Sequence, residues 1–515
     1  MLGPLILAAL SLAVFALILK LANPLPSRTD FPADPPVPDV SSPLAESAAR
    51  FAANREGGTA LHLLTRGIDA IAMRIAMVRN AQRSIDAQYY IWEGDLSGRM
   101  LLAEIVAAAD RGVSVRLLID DNPTAGLDPM WAGVDAHPNI AVRIFNPMTI
   151  RSVRPANYLF DFPRLNRRMH NKSLTVDGAA TLVGGRNVGD AYFGAKDRGL
   201  FIDVDALAIG AVVPDVAAEF ERYWSSDAAY PASSLLAPEP AIALADLRRP
   251  EHEDSALAES YRAAVDDAIE TLWFRDDPVA AFVWAPVRLL ADDPAKAAGR
   301  ASQDSLLVTR IAGVLANARS RIDLVSGYFV PGNQGADLLE GLARQGVRTR
   351  IVTNSLQVTD VPVVHAGYAP YREGLLGSGA LLFEAKPQTE HGGEMRILGQ
   401  TRFSGGGESV HAKTFAIDGR IFFIGSFNLD PRSAQLNCEM GFLVDSPELA
   451  AALARVLDES LADAAYALAL DEAGKVTWTA QAGGEKQVYR TEPGTTFWSR
   501  AAVSAIARLP IEWLL

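Results

Sequence analysis

Apolar positions in this chain switch repeatedly between a helical and a strand period, and that alternation predicts an α/β protein. Beyond Gly57, Ile68, Ile71, Ile75 and Val78 recur at helical spacing with Arg and Asn between them. Residues 84–92 (Ser-Ile-Asp-Ala-Gln-Tyr-Tyr-Ile-Trp) are rich in β-formers and predict a strand. Ser97 is placed to cap a helix through Ala109 that stops at Arg111-Gly112. Residues 113–119 form a buried apolar run closing on Asp120-Asp121, and residues 142–145 another. A β-α-β order of this kind predicts parallel strands covered by helices. Residues 173–176, a turn at Gly178 and residues 181–183 predict a hairpin, and residues 201–205 a further strand, followed by helix to about Trp224.

The pattern then starts again. Residues 321–329 (Arg-Ile-Asp-Leu-Val-Ser-Gly-Tyr-Phe) match 84–92 in character, and Gly346-Val347 leads an apolar strand as Gly112-Val113 does. A repeat this long is an internal duplication of a whole α/β unit. The Pro- and Ala-rich stretch 229–250 and a charged helix expected over 251–273 separate the copies.

The amino terminus departs from both periods. Residues 2–19 are apolar apart from Gly3, Pro4 and Ser11, and Lys20 closes the run. That length is the lower limit for a bilayer-spanning helix. No Lys or Arg precedes the run and Lys20-Leu21-Ala22 is a poor cleavage site, so an uncleaved anchor is expected. Lys20 and Arg28 follow the span while only the amino terminus precedes it, so charge does not set its orientation. Seven prolines between Pro24 and Pro43 make the next stretch an extended tether. The expected organisation is therefore anchor 1–22, tether 23–55, first domain 56–245, connector 246–290, second domain 291–468 and a C-terminal extension 469–515.

Composition narrows the function. The 515 residues are 49% hydrophobic and 21% charged, with a formal net charge of −13 and a pI near 5.1. An acidic chain lacks the basic field that meets nucleic-acid backbones, so no nucleic-acid partner is expected. A single cysteine, Cys438, excludes an internal disulfide and a cysteine-rich zinc site.

Chemistry concentrates in two short stretches. His170-Asn171-Lys172 leads through Asp177 to Gly184-Gly185-Arg186-Asn187, and His411-Ala412-Lys413 leads through Asp418 to Gly425-Ser426-Phe427-Asn428. His170 and His411, Lys172 and Lys413, Asp177 and Asp418, and Asn187 and Asn428 are each 241 residues apart. One His-x-Lys means little; two complete copies in one register do not arise casually. Residues two apart on a strand face the same side, so each His shares a face with its Lys. The duplication suggests two half-sites meeting across a pseudo-two-fold axis. Asp177 and Asp418 each end a strand before Gly, a turn dipeptide, and are read as structural supports. Ser426 adds a hydroxyl donor to the second copy only. Arg186 and Arg432 either reinforce a phosphate field or pair with acids, and His62, His137, His252 and His391 carry no motif.

These twin motifs resemble those of the phospholipase D superfamily. Over roughly residues 57–445, and in Gly-Gly-Arg-Asn-Val-Gly-Asp-Ala-Tyr-Phe and Gly-Ser-Phe-Asn-Leu-Asp-Pro-Arg-Ser in particular, the chain is most similar to the bacterial cardiolipin synthase C group. The resemblance implies two α/β/α domains, each a mixed sheet flanked by helices. It implies transfer of a phosphatidyl group from phosphatidylglycerol or phosphatidylethanolamine to a phosphatidylglycerol hydroxyl, with hydrolysis to phosphatidic acid as the alternative. Lys172 and Lys413 would then neutralise the phosphodiester, with Asn187 and Asn428 donating to its oxygens. His170 would attack phosphorus and His411 act as general acid and base. Asp203 would orient an imidazole; Glu439, 28 residues after His411, is placed to do the same. His365 lies in a segment similar to one on the family's substrate side. No metal or cofactor is called for, and the expected form is a monomer at the bacterial inner membrane. Thr496-Phe497-Trp498 and the closing Ile511-Glu512-Trp513-Leu514-Leu515 suit either a lipid interface or packing on the core.

Overall fold

The computed structural model describes residues 2–28, 31–53, 55, 57–194, 201–237, 242–248, 255–272, 282–387, 409–482 and 485–514. His252 and His391 lie outside them, as do parts of the expected connector.

Two mixed sheets organise the chain. The first half supplies β1 (Thr59–Leu64), β2 (Ser84–Tyr89), β3 (Ser114–Asp120), β4 (Ile140–Phe145), β5 (Ser173–Val176), β6 (Ala180–Gly184), β7 (Phe201–Ile202), β8 (Asp205–Gly210), β9 (Ala229–Pro231) and β10 (Val283–Ala285). The second supplies β11 (Val287–Ala291), β12 (Arg321–Ser326), β13 (Arg348–Asn354), β14 (Leu381–Ala385), β15 (Ser409–Val410), β16 (Lys413–Ile417), β17 (Ile421–Gly425), β18 (Met440–Asp445), β19 (Ala465–Leu470), β20 (Val476–Ala482) and β21 (Glu485–Tyr489). The sheet orders are β10-β1-β8-β6-β5-β2-β3-β4-β9 and β11-β18-β17-β16-β12-β13-β14-β19-β20-β21. From β8 to β4 and from β18 to β14 they are the same sheet. In each, three strands run parallel (β2, β3, β4; β12, β13, β14) because helical crossovers return the chain to the same edge. The hairpin that follows each motif His then adds antiparallel. Register repeats too: Ile85 faces Val176, and Ile322 faces Ile417.

Several local expectations change. The apolar run Thr-Ala-Leu-His-Leu-Leu after Gly58 forms strand β1, and the helix begins only at Gly67. Helix Leu96–Asp110 is capped by Asp95, which accepts from Gly98 N at 3.1 Å; Ser97 instead donates to Asp190 at 2.7 Å. The strand expected over 201–205 is broken at Asp203 and Val204, leaving β7 and β8 in different sheets. That break turns the Asp203 side chain away from a regular strand edge and into the molecule, where it is fully buried. The connector helix spans Ala256–Leu272, and the chain passes from the first sheet to the second at Pro286.

The halves share one apolar seam. Leu61, Val183, Ala206 and Val216 pack in a single cluster with Phe422, Ile424, Met440 and Phe442. Among the described residues two backbone exchanges cross it. Strand β7 pairs in parallel with β15, and Met169 bridges Cys438. The N-terminal segment is helical over Leu2–Ala22; among the described residues no helix is long and apolar enough to cross a membrane.

Asp177 and Asp418 do the same structural job at the far ends of the motif hairpins. Both adopt positive φ (52° and 53°), followed by Gly178 and Gly419 also at positive φ, as a tight hairpin turn of this hand requires. Asp177 accepts from Arg83 N at 2.8 Å, Ser84 N at 2.9 Å and Ser42 Oγ at 2.6 Å. Asp418 accepts from Ser320 N at 2.7 Å and Arg321 N at 3.0 Å. Each carboxylate thus holds the start of the strand beside its hairpin. Asp177 is buried and Asp418 exposed, so Asp177→Ala should cost about 3 kcal/mol and Asp418→Ala about 1 kcal/mol in chemical denaturation, without changing the turnover of the remaining folded protein.

Candidate active site

Each motif His sits where its hairpin enters the sheet, and each is anchored by the other half. His170 N donates to Cys438 O at 2.8 Å, and Cys438 N returns a bond to Arg168 O at 2.8 Å. His411 N and Ala412 N both donate to Ile202 O, at 2.8 and 2.9 Å. These crossings bring β5 and β16, on separate sheets, to one place with both histidines buried.

The acids cross with them. Nδ1 of His170 lies 2.8 Å from Glu439 Oε2, and Nδ1 of His411 lies 2.6 Å from Asp203 Oδ2. Position along the chain would pair each acid with the imidazole of its own copy; the geometry pairs it with the opposite one. The reason is topological. Asp203 follows β7 and Glu439 precedes β18, and these are the segments each half extends over the other's motif strand.

The two carboxylates are not alike. Asp203 also accepts from Val204 N at 2.8 Å. Burial pushes its pKa up, but Lys413 and His411 outweigh burial and hold it below the usual carboxylate range. Glu439 accepts from Ser426 Oγ at 2.5 Å and Ser433 Oγ at 2.8 Å. Burial nevertheless keeps it above the ordinary glutamate value. Ser426 therefore acts through Glu439 in this structure. Ser433, not foreseen from the motif, is brought there by a short helix that Asp430 caps, with Ser433 N donating to Asp430 Oδ1 at 2.6 Å. The only sequence signal for it was its position in Asp-Pro-Arg-Ser, a cap followed by N1 proline.

The lysines lie beneath the histidines. Lys172 Nζ donates to His170 O at 2.6 Å with the Tyr90 ring 5.5 Å away. Lys413 Nζ reaches His411 O and lies 3.0 Å from His411 Nδ1. With Asp203 closer, His411 Nδ1 carries the hydrogen to the carboxylate and Lys413 donates to the carbonyl. Burial drives both ammonium groups down, Lys172 well below its ordinary value. Burial, then the charges of Lys172 and Lys413, push His170 well below the ordinary histidine value. His411 is lowered by burial and Lys413, while Asp203 pulls it back up.

The asparagines differ. Asn187 accepts from Ile91 N at 3.1 Å and donates to Tyr192 OH at 2.9 Å, bracing an aromatic ring whose centroid is 5.6 Å from that of His411. Asn428 is buried with its Oδ1 unpartnered. Tyr90 and Tyr328 meet His170 and His411 edge-on at 5.0 and 6.0 Å. These tyrosines had no motif to mark them.

Other candidates fall away from the reacting face. Arg186 is buried on Leu64 O, Thr65 O and Asp203 O, fixing the broken strand. Arg432 donates to Asn166 O at 3.1 Å and Oδ1 at 2.8 Å and to Leu514 O at 3.0 Å. His365 lies 3.1 Å from Glu492 of the C-terminal extension. Among the described residues no cluster of His, Cys, Asp and Glu could hold a metal ion.

A duplicated mixed sheet with two His-x-Lys half-sites closed against each other defines a phospholipase D-type enzyme. The family described as "Cardiolipin synthase, PLD-like domain" matches residues 75–224 and again 311–461. Cardiolipin synthase C of Escherichia coli (strain K12) is 45% identical over 474 residues, covering 92% of this chain and 99% of that protein. Cardiolipin synthase A of Klebsiella pneumoniae is 23% identical over 430 residues, 81% of this chain and 74% of its own. Phosphatidylserine synthase of Haemophilus influenzae Rd KW20 shares the fold, with a TM-score of 0.56 at 14% identity, covering 92% of this chain and 99% of that one. The chain belongs to the cardiolipin synthase family of phospholipase D-like phosphatidyltransferases.

Proposed function

We propose that this protein is a cardiolipin synthase that works through a phosphohistidine, with His170 as nucleophile and His411 as general acid and base. The observation that carries the reading is the pair of cross-half acid–imidazole contacts, which complete both half-sites in one buried place. An imidazole whose Nδ1 is held by a carboxylate presents Nε2 for chemistry. His170, lowered well below its ordinary value, is neutral and carries a lone pair. His411 is bonded to an ionised Asp203, which stabilises its protonated form.

A phosphatidylglycerol headgroup phosphate would enter between Lys172 and Lys413, its negative charge restoring the protonation that burial disfavours. Nε2 of His170 attacks phosphorus in line; the N–P bond forms as the P–O bond to glycerol breaks. His411 passes its proton to the departing oxygen, and glycerol leaves. A hydroxyl of a second phosphatidylglycerol then gives its proton to His411 and attacks phosphorus, releasing His170 and forming cardiolipin. The anchoring expectation fits a lipid substrate: Leu2–Ala22 would hold the enzyme at the bacterial inner membrane, with the Pro-rich tether behind it.

Purified enzyme given headgroup-labelled and acyl-labelled phosphatidylglycerol should yield cardiolipin and one free glycerol per cardiolipin formed. Phosphatidic acid as the sole lipid product would make the enzyme a hydrolase, and no turnover would remove the reading.

A further inference from the structure

Two apolar features flank the approach to the histidines, and neither is used by the chemistry. On the first side, helix Tyr158–Leu165 and the turn before it expose Val153 (59%), Leu159 (55%) and Phe162 (40%). On the second, helix Phe497–Ile506 and the end of the chain expose Phe497 (66%), Trp498 (78%) and Trp513 (56%). Isolated exposed apolar residues are ordinary; two apolar groups linked by hydrogen bonds to residues around the site are not.

The ties are specific. Tyr158 donates to Asn122 Oδ1 at 2.8 Å, and Asn122 donates to Tyr90 OH at 3.2 Å, whose ring meets His170. Asn166, which ends the first helix, receives two bonds from Arg432, and the same guanidinium donates to Leu514 O beside Trp513. Arg432 stands four residues after Asn428, so one side chain joins the first helix to the tail that carries Trp513, while helix Phe497–Ile506 packs on the helix Pro362–Tyr368. Tyr371 OH fixes the tail from the other side through Glu512 at 2.8 Å.

Continuity with the N-terminal helix says what covers this face. Helix Leu2–Ala22, with Leu7, Leu10 and Leu21 more than half exposed, lies against Tyr158–Leu165. Beside it opens a groove of about 660 Å³ in which Arg164 is paired with Asp161, Arg222 with Glu219 and Asp293, and Arg300 with Asp227, so its polar wall is internally balanced. Exposed apolar and aromatic side chains continuous with an exposed apolar helix match the acyl and interfacial levels of a bilayer.

We infer that this rim is a second membrane contact, beyond the N-terminal helix itself, in which Tyr158–Leu165 and the C-terminal aromatic segment seat the entrance on a phospholipid surface. The inference deepens the proposed function: a two-tailed substrate would pass from the bilayer to the histidines without crossing water.

The test uses the full chain. Its one cysteine is fully buried, so Phe162→Cys, Trp498→Cys and, as control, Arg319→Cys can each be labelled with an environment-sensitive dye. Arg319 is exposed at the opposite end of the motif hairpin, beside Asp418. In phosphatidylglycerol proteoliposomes, bromine on the acyl chains should quench the dyes at 162 and 498 and spare the one at 319. Phe162→Ser with Trp498→Ser should raise KM for vesicle lipid about tenfold and leave kcat in detergent micelles unchanged. Dyes unquenched at 162 or 498, as when a protein partner covers the face, or equal quenching at 319, would overturn the inference. Absence of cardiolipin in every assay, with quenching intact, would instead remove the proposed reaction and leave the surface.

Discussion

His170→Ala is expected to leave a folded protein whose phosphatidyl transfer falls by about a thousandfold or more, because the covalent route is lost rather than weakened. The hydrogen bond His170 N makes to Cys438 O is main-chain and survives the substitution. Glu439 keeps both serine donors, so the variant does not leave an unpaired buried carboxylate. A phosphatidyl ester of p-nitrophenol separates the roles of the two histidines. Its leaving group needs no proton, so His411→Ala should still release p-nitrophenol in a single burst and stall as a lipid adduct on His170. His170→Ala should give no burst. A burst from His170→Ala and none from His411→Ala would exchange the two roles.

Asp203→Asn and Glu439→Gln are expected to lower kcat by about a hundredfold each while leaving the imidazoles in place. Their partners decide which effects combine. Asp203 serves His411 and Glu439 serves His170, so in the p-nitrophenol burst that His411→Ala retains, adding Asp203→Asn should cost little and adding Glu439→Gln its full amount. A cycle that couples each acid to the histidine of its own copy would contradict the crossed wiring. The pH response has a definite sign. The Asp203 charge holds the His411 pKa up against burial and Lys413. Removing that charge lowers it further, so less His411 is protonated at a given pH. The alkaline limb of kcat/KM should move to lower pH in Asp203→Asn.

Much of this was legible in the residues. The twin motifs and the repeat of Ile-Asp strands gave the duplication, and the structure repeats strand order and register between the halves. What stayed hidden was whatever depended on the other half. Spacing along the chain suggests Asp203 with His170, yet a break between β7 and β8 sends it to His411. Strand β1 was missed because Thr-Ala-Leu-His-Leu-Leu runs on into a helical pattern without an alternating face. Ser97 was read as a cap from its type alone, whereas the backbone gives that place to Asp95 two residues earlier. Arg432 acts on Asn166 266 residues away, and Ser433 and Tyr192 act on Glu439 and Asn187 through side-chain hydrogen bonds, none of which a hydrophobic period records.

The crossed acids also set a clock. Among the described residues the carboxylate that holds His170 is Glu439 of the second half, and the strand that leads into His411 pairs with one synthesised earlier. At about 5–20 residues per second, the ribosome needs roughly 12–50 s to travel the 241 residues between the two histidines. On the proposed mechanism the leading half stays chemically silent through that interval, and phosphatidyl transfer would wait for the last third of the chain, which carries His411 and Glu439.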